Sequence, residues 1–290
     1  MYSLKVAFQG ETGAYSEAAA LEYFHQEMTS YSCHTFENVF HVVEEQVCRY
    51  GFIPIENTLA GSIHRNYDLM LKYSLHIVGE YHFRVKHCLL AVNEARLDQI
   101  QYVHSHPQAL AQCEASLKKL SVRLVPEADT AGSARLISEK DSNLSAAVAS
   151  KHAAQVYGLQ VLTDNLEDNP LNFTRFLVLA KQGKPIVDTH HQGFKTSIVF
   201  SLPNKPGILF KALSVFALRD IDLTKIESRP IPGKPWEYLF YIDFIGNISD
   251  RVCQRALDHL KELTILLRIL GSYPRHQFDF PTSHNGQPNK

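Results

Sequence analysis

Short apolar runs alternate with amphipathic stretches from Leu4 to Ala180. The runs at Leu4 to Gln9, Tyr50 to Ile55, His76 to Val92, Gln101 to Ser105, Val122 to Pro126, Ala146 to Ala149 and Asn172 to Ala180 predict strands. Between them, stretches around Ser16 to Phe24, Val39 to Val47, Pro107 to Leu117 and Ala131 to Ile137 predict helices. Such alternation implies an α/β unit with mostly parallel strands, whose ligands sit where strand ends run into helices. The long run His76 to Val92 and the strand Asn172 to Ala180 read as two crossings between lobes. One lobe then comprises residues 1 to about 80 with 165 to 181, and the other about 82 to 164.

The polar, breaker-rich stretch from Gln182 to Gly193 reads as a linker closing a first domain of residues 1–181. Beyond it the pattern is strand (Phe194 to Leu202), helix (Gly207 to Leu218), strand (Asp222 to Ser228), strand (Glu237 to Phe244), helix (Ser249 to Leu260) and strand (Thr264 to Leu270). That βαββαβ order over residues 194–273 predicts a ferredoxin-like module, followed by a polar tail, 274–290.

Composition narrows the function classes. Of 290 residues 45% are hydrophobic and 20% charged, as in an ordinary soluble globular protein. The formal net charge is -1, and no basic cluster interleaves with aromatics, so no nucleic-acid partner is expected. Five scattered cysteines, never in a C-x-x-C pair, suit reduced thiols of a cytosolic compartment. The 15 histidines show no metal-ligand spacing, so no metal is expected. Neither a signal peptide nor a membrane span is expected; the chain reads as cytoplasmic, or as a mature form in the plastid stroma if its source is a plant.

Several strand ends carry polar groups. Gly10-Glu11-Thr12-Gly13-Ala14-Tyr15-Ser16 leaves the first strand and enters a helix that Ser16 could cap; it is either a tight turn or an anion site. Ile53-Pro54-Ile55-Glu56-Asn57 ends a buried strand and leads to Gly61-Ser62, as a turn or as a site. Ser105-His106-Pro107 starts a helix in which Gln108 and Gln112 share a face, with His106 either a cap or a ligand contact. Asp129-Thr130 enters a further helix, either as an N-cap or as a contact. In Asn172-Phe173-Thr174-Arg175-Phe176, strand alternation turns Thr174 and Phe176 one way and Arg175 the other. Arg175 then pairs either with a ligand carboxylate or with a neighbour such as Glu56, and its facing away from Thr174 favours the neighbour.

Together with Glu227-Ser228-Arg229-Pro230, these blocks resemble, in their order, the prephenate dehydratase family, including its plant arogenate dehydratase branch, over residues 3 to 275. The resemblance implies a two-lobed, periplasmic-binding-protein-like catalytic unit followed by an ACT domain that senses phenylalanine. It implies decarboxylation of prephenate with loss of the ring hydroxyl, giving phenylpyruvate, with no cofactor. Arogenate is the alternative substrate, and a non-catalytic amino-acid sensor a more distant alternative. On this reading Thr174, Glu56, Gln108 and Arg175 are catalytic, and Asn57, Ser62, Ser105, Gln112 and Thr130 contact substrate. Arg65 resembles the plant branch and is a further candidate contact. Asn204, Gly207, Ile208, Leu209, Glu227 and Ser228 form the phenylalanine site, with Ile226 helping to build its apolar pocket. Thr58 and Asp222 depart from the family pattern, where serine and asparagine are usual. The family's ACT domains associate side by side, so a homodimer or homotetramer is expected.

Overall fold

The computed structural model describes residues 4–25, 27–140, 142–186, 193–231 and 233–276, so most of the expected linker and tail lies outside the described residues. The chain divides into two compact units, one ending at Lys184 and the other beginning at Pro185.

The first unit runs β1 (Leu4–Gln9), α1 (Tyr15–Tyr23), β2 (Met28–Cys33), α2 (Phe36–Glu44), β3 (Tyr50–Asn57), β4 (Gly61–Ser62), α3 (His64–Lys72) and β5 (His76–Arg84). It continues through β6 (Cys88–Ala91), β7 (Tyr102–Ser105), α4 (Pro107–Gln112), α5 (Glu114–Lys118), β8 (Arg123–Pro126), α6 (Thr130–Lys140), β9 (Ser145–Ala149), α7 (Lys151–Tyr157), β10 (Gln160–Thr163) and β11 (Phe173–Ala180). One sheet has the order β2-β1-β3-β11-β5 with β4 on β3, and the other β10-β6-β9-β7-β8. The chain therefore leaves the first sheet after Arg84, enters the second at Cys88, and returns between Thr163 and Phe173.

Both sheets are mixed, which corrects the expectation of mostly parallel strands. β1 pairs in parallel with β2 and β3, and β7 with β8 and β9, but β11 is antiparallel to β3 and β5, and β6 to β9 and β10. The return crossing causes this: a strand arriving from the other lobe inserts against the direction of β3. The expected single run His76 to Val92 is broken at Val85–His87, whose amides turn aside. Val85 N–H donates to Asn172 O at 2.8 Å and His87 N–H to Glu167 Oε2 at 2.8 Å.

Burial is continuous through β9 and β11 and from Gly51 to Ile55 in β3, the strands covered on both faces. Phe52 and Phe176 stack at 4.9 Å between centroids in the first lobe. In the second lobe Leu89, Leu90, Val103, Ile137, Val148 and Ala153 build a separate buried cluster. Among the described residues no helix is long and apolar enough to cross a membrane.

The second unit is β12 (Phe194–Ser201), α8 (Ile208–Ala217), β13 (Leu223–Pro230), β14 (Tyr238–Ile245), α9 (Arg251–Leu263) and β15 (Leu266–Pro274). Its antiparallel sheet, ordered β13-β14-β12-β15, is ferredoxin-like. Phe200, Phe216, Ile242, Phe244 and Leu260 pack between sheet and helices.

Candidate active site

Pro54 shapes the tip of β3. It has no N–H to give to a ladder, and the pairing of β3 with β11 slips there: Arg175 lies opposite Glu56, but Phe176 opposite Pro54. Such a bulge adds local twist and re-aims the residues beyond it. Those residues are Glu56 and Asn57, held by the hairpin to Ser62 and Gly61.

Glu56 and Arg175 belong to one side of this sheet. The Arg175 guanidinium, 5% exposed, places Nε 2.8 Å from Glu80 Oε2 and Nη1 3.3 Å from Glu56 Oε1. Glu80 has a fully buried side chain, so the Arg175 guanidinium offsets the cost of holding its charge away from water. Strand alternation anticipates a bracing arginine, but Glu80, inside an apolar run on another strand, gave no signal in the sequence.

Thr174 faces the other way, and around it a hydrogen-bonded chain crosses between the lobes. Asn57 Nδ2 lies 3.0 Å from Thr174 Oγ1 and 2.9 Å from Asn172 Oδ1. Asn172 Nδ2 lies 2.9 Å from Gln112 Oε1, which is also 2.8 Å from His87 Nε2. Beyond it, His87 Nδ1 is 2.7 Å from the Tyr15 hydroxyl. Thus Asn57, Gln112 and Thr174, from three separate sequence blocks, come together. Asn172 and Tyr15 lie inside two of the strand-end motifs, but no spacing or pattern in the sequence marks either of them, or His87, as a participant.

The other expected contacts divide. Ser105 is fully buried and its hydroxyl donates to Val148 O at 2.6 Å, which engages it with the neighbouring strand. His106 caps α4, accepting the Gln108 N–H on Nδ1 at 3.2 Å, and Gln108 itself is exposed. Asp129 caps α6 through the Gly132 N–H at 2.7 Å, with Thr130 its first residue. Thr58 ties the two ends of the site together, donating to Leu171 O at 2.6 Å and accepting from Phe173 N–H at 2.9 Å. Arg65 is exposed, its Nη2 3.9 Å from Glu37.

The glycine turn after β1 differs from expectation. Helix α1 starts at Tyr15, so Ser16 is not its cap; instead Glu17 reaches back to accept the Gly13 N–H at 2.6 Å. Gly13 has φ +91°, and a β-carbon there would stand 3.0 Å from Ala153 Cα of α7. Ser150 donates to Gly13 O at 2.7 Å and His152 lies 2.9 Å from Glu17. The loop is a close contact between lobes. Beside it opens a cavity of about 630 Å³ whose walls include Tyr15, Phe83, Arg84, Lys86 and Lys151. Phe83 is the cross-strand partner of Thr174.

In the second unit Gly207 takes φ 75°, the left-handed conformation that starts α8, with open space around a β-carbon. Asn204 and Gly207 are exposed, whereas Ile208 and Leu209 pack on the unit's own core. Ser228 lies opposite Phe240, at the sheet end from which Gly207 follows; Glu227 lies opposite Tyr241 on the other face. These residues therefore do not converge on one face within a single chain. Ile226 is half exposed on the edge strand, and Asp222 is exposed.

Comparison with known proteins places the fold and the family. The family model for prephenate dehydratase matches residues 6–184, and that for the ACT domain residues 196–252. An Arabidopsis thaliana protein named arogenate dehydratase/prephenate dehydratase 2, chloroplastic, is 50% identical over 282 residues, 93% of this chain and 73% of that one. The crystal structure of prephenate dehydratase from Arthrobacter aurescens in complex with L-Phe shares 30% identity at a TM-score of 0.84, covering 93% of this chain and 90% of that one. A structure titled as GqqA, a novel type of quorum quenching acylase, shares 34% identity at a TM-score of 0.86, covering 94% and 98%. With a catalytic family match over the whole two-lobed unit and an ACT match behind it, the chain belongs to the prephenate dehydratase family.

Proposed function

We propose that the protein is a hydro-lyase that converts prephenate to phenylpyruvate in phenylalanine biosynthesis, with arogenate, which would give phenylalanine directly, as the alternative substrate. In the reaction the bond from ring to carboxylate breaks and its electron pair enters the ring. The carbon–oxygen bond to the ring hydroxyl breaks in turn, and the departing oxygen takes a proton from solvent and leaves as water. Aromatisation drives the sequence, so the protein has to align the two leaving groups and stabilise the departing oxygen.

The observation that carries this reading is the hydrogen bond from Asn57 Nδ2 to Thr174 Oγ1 at 3.0 Å. With its oxygen already accepting, the Thr174 hydroxyl keeps its own hydrogen for a ligand. An ordinary alcohol is a poor proton source, so its role is a hydrogen bond to the departing oxygen, worth about 10²- to 10⁴-fold in rate. Glu56 and Arg175 act by fixing the β3 and β11 ends. The substrate carries two carboxylates while Arg175 is committed to Glu56 and Glu80, so other cations must meet them. Arg84, Lys86 and Lys151 around the cavity beside Tyr15 are the proposed partners. Gln108, Ser62 and Thr130 remain proposed contacts, while Ser105 and Gln112 serve by positioning.

An acylase reading, prompted by the GqqA likeness, would need an activated nucleophile. Burial pushes the Cys33 thiol up to about 11 and Cys88 up to about 12, so these thiols are not thiolates near neutral pH.

For the second unit we infer a phenylalanine-sensing role, with the ligand between two copies of the module: the Gly207 turn for its carboxylate, and Glu227 and Ser228 from the edge strand. Failure of those residues to share a face in one chain supports a homodimer or homotetramer. The proposed location is the plastid stroma for a plant source and the cytoplasm otherwise, which cell fractionation would read.

The functional reading is tested by incubating the purified protein with prephenate and, in parallel, with arogenate, and following the aromatic product by ultraviolet absorbance. Phenylpyruvate from the first is expected, and the ratio of kcat/KM values sets the preference; absence of product from both would overturn the assignment.

A further inference from the structure

The chain of hydrogen bonds leading away from Thr174 has a polarity that can be worked out atom by atom. Asn57 Oδ1 lies 3.0 Å from both the Leu59 and Ala60 amide nitrogens. A backbone N–H can only donate, so that side-chain atom is the oxygen and the other is the NH2 group. The same orientation follows from the opposite side, where Nδ2 meets Phe173 O at 3.0 Å, a group that can only accept.

Asn57 Nδ2 has two hydrogens for three acceptors, Asn172 Oδ1, Phe173 O and Thr174 Oγ1, so they are shared; because an amide nitrogen accepts nothing, every group facing it must still turn an acceptor to it. Asn172 must turn its oxygen to Asn57 and its NH2 to Gln112, so the Gln112 atom at 2.9 Å is an acceptor. His87 Nε2, 2.8 Å from that same oxygen, must carry a hydrogen. Nδ1 of a neutral ring is then an acceptor, and the Tyr15 hydroxyl is its donor: the hydroxyl's one hydrogen has two acceptors in reach, Nδ1 at 2.7 Å and Lys86 O at 3.2 Å, and the shorter contact takes it. His87 is 2% exposed and Asn172 fully buried, so solvent offers neither ring nor amide a substitute partner.

We propose that His87, held by Tyr15 as the neutral Nε2–H tautomer, is a positioning residue for the reaction. Its Nε2–H pins the Gln112 carbonyl, which orients Asn172, which orients Asn57, whose NH2 occupies the acceptor side of Thr174 Oγ1 and leaves the threonine hydrogen aimed at substrate. The inference rests on the dehydratase reading for its catalytic consequence, but the tautomer itself does not depend on it. Burial pushes the imidazole below its usual value, against the Gln112 bond and the Glu167 charge, which supports a neutral ring. Burial likewise raises the Tyr15 hydroxyl, which keeps it a donor. His87 stands in the crossing between the two sheets, so the relay joins α4 of one lobe to the β3 and β11 tips of the other.

The test combines selective nitrogen-15 labelling of histidine with kinetics on the full chain. The spectrum of the parent near neutral pH, with His87→Gln to identify the resonance, is expected to show His87 protonated on Nε2 alone. Tyr15→Phe, which keeps the ring but removes its donor, should shift population toward the other tautomer. His87→Gln can still reach Gln112 with an amide N–H, whereas the shorter Asn cannot. His87→Asn should therefore lower kcat about ten- to a hundredfold with a smaller change in KM, and His87→Gln should recover most of it. An Nδ1–H ring or an imidazolium in the parent would overturn the proposal, as would equal losses in the two variants. A parent that forms no aromatic product would refute the dehydratase reading instead, with the tautomer still decided by the spectrum.

Discussion

Arg175 shows how much one residue can organise here without touching a ligand. It holds Glu80 on β5 and Glu56 on β3 from the strand between them, and Glu80 has no exposure of its own. Replacing Arg175 by methionine keeps volume but takes from a buried carboxylate its guanidinium partner at 2.8 Å, and breaking a buried pair from one side costs about 3–5 kcal/mol. Urea denaturation should show the midpoint falling accordingly with the slope unchanged, and a stability within about 0.5 kcal/mol of the parent would contradict the bracing role. At this scale the sequence carries half the pair: alternation turns Arg175 away from Thr174 and names Glu56, while Glu80 sits in a run whose period says only strand. His87 is hidden for the same reason. Nothing in the spacing of a lone histidine says that its ring will meet Gln112 and Tyr15 from distant segments.

At the scale of the element, strand tips and helix starts decide the site. The slip beside Pro54 twists Asn57 toward Thr174, Asp129 and His106 cap their helices, and Gly207 begins α8 with a backbone that other residues adopt only under strain. A β-carbon at Gly207 would meet open space, so Gly207→Val acts through φ and through the amides beside it, not through crowding. Phenylalanine inhibition should be lost in this variant while uninhibited turnover stays within a few-fold of the parent. Inhibition of unchanged strength would move the effector site elsewhere. Elements with strong apolar runs, such as β3, β9 and β11, were legible from the sequence to within a residue or two. Met28–Cys33 was not: it is an edge strand of mostly polar, partly exposed residues, and period-2 patterning needs one buried face to show. Short α7, carrying Lys151 and His152 in its first turn, escaped for lack of a long enough apolar stripe.

For the whole molecule, the order of strands and helices was enough to expect a two-lobed α/β unit and a βαββαβ module, because both follow from the order of periods along the chain. Strand direction was not, since β11 returns from the other lobe and pairs antiparallel with β3, a consequence of long-range threading that local patterning does not record. The second unit exposes Phe210, Leu218 and Ile265, each more than two-thirds accessible, and has edge strands at β13 and β15, features that a second copy would cover. Sedimentation at micromolar concentration should therefore show a dimer or tetramer, and a lone species of 32.9 kDa would refute that assembly. In the proposed reaction Thr174 assists the coupled loss of two groups from one ring. Carbon dioxide and aromatic product should be measured together, with prephenate as substrate, for the parent, Thr174→Ala and Thr174→Ser. The parent should release the two in equal amounts, Thr174→Ala should lose at least about a hundredfold in kcat for both while remaining folded, and Thr174→Ser should retain much more. Equal losses in the alanine and serine variants, or carbon dioxide released without an aromatic ring, would contradict it.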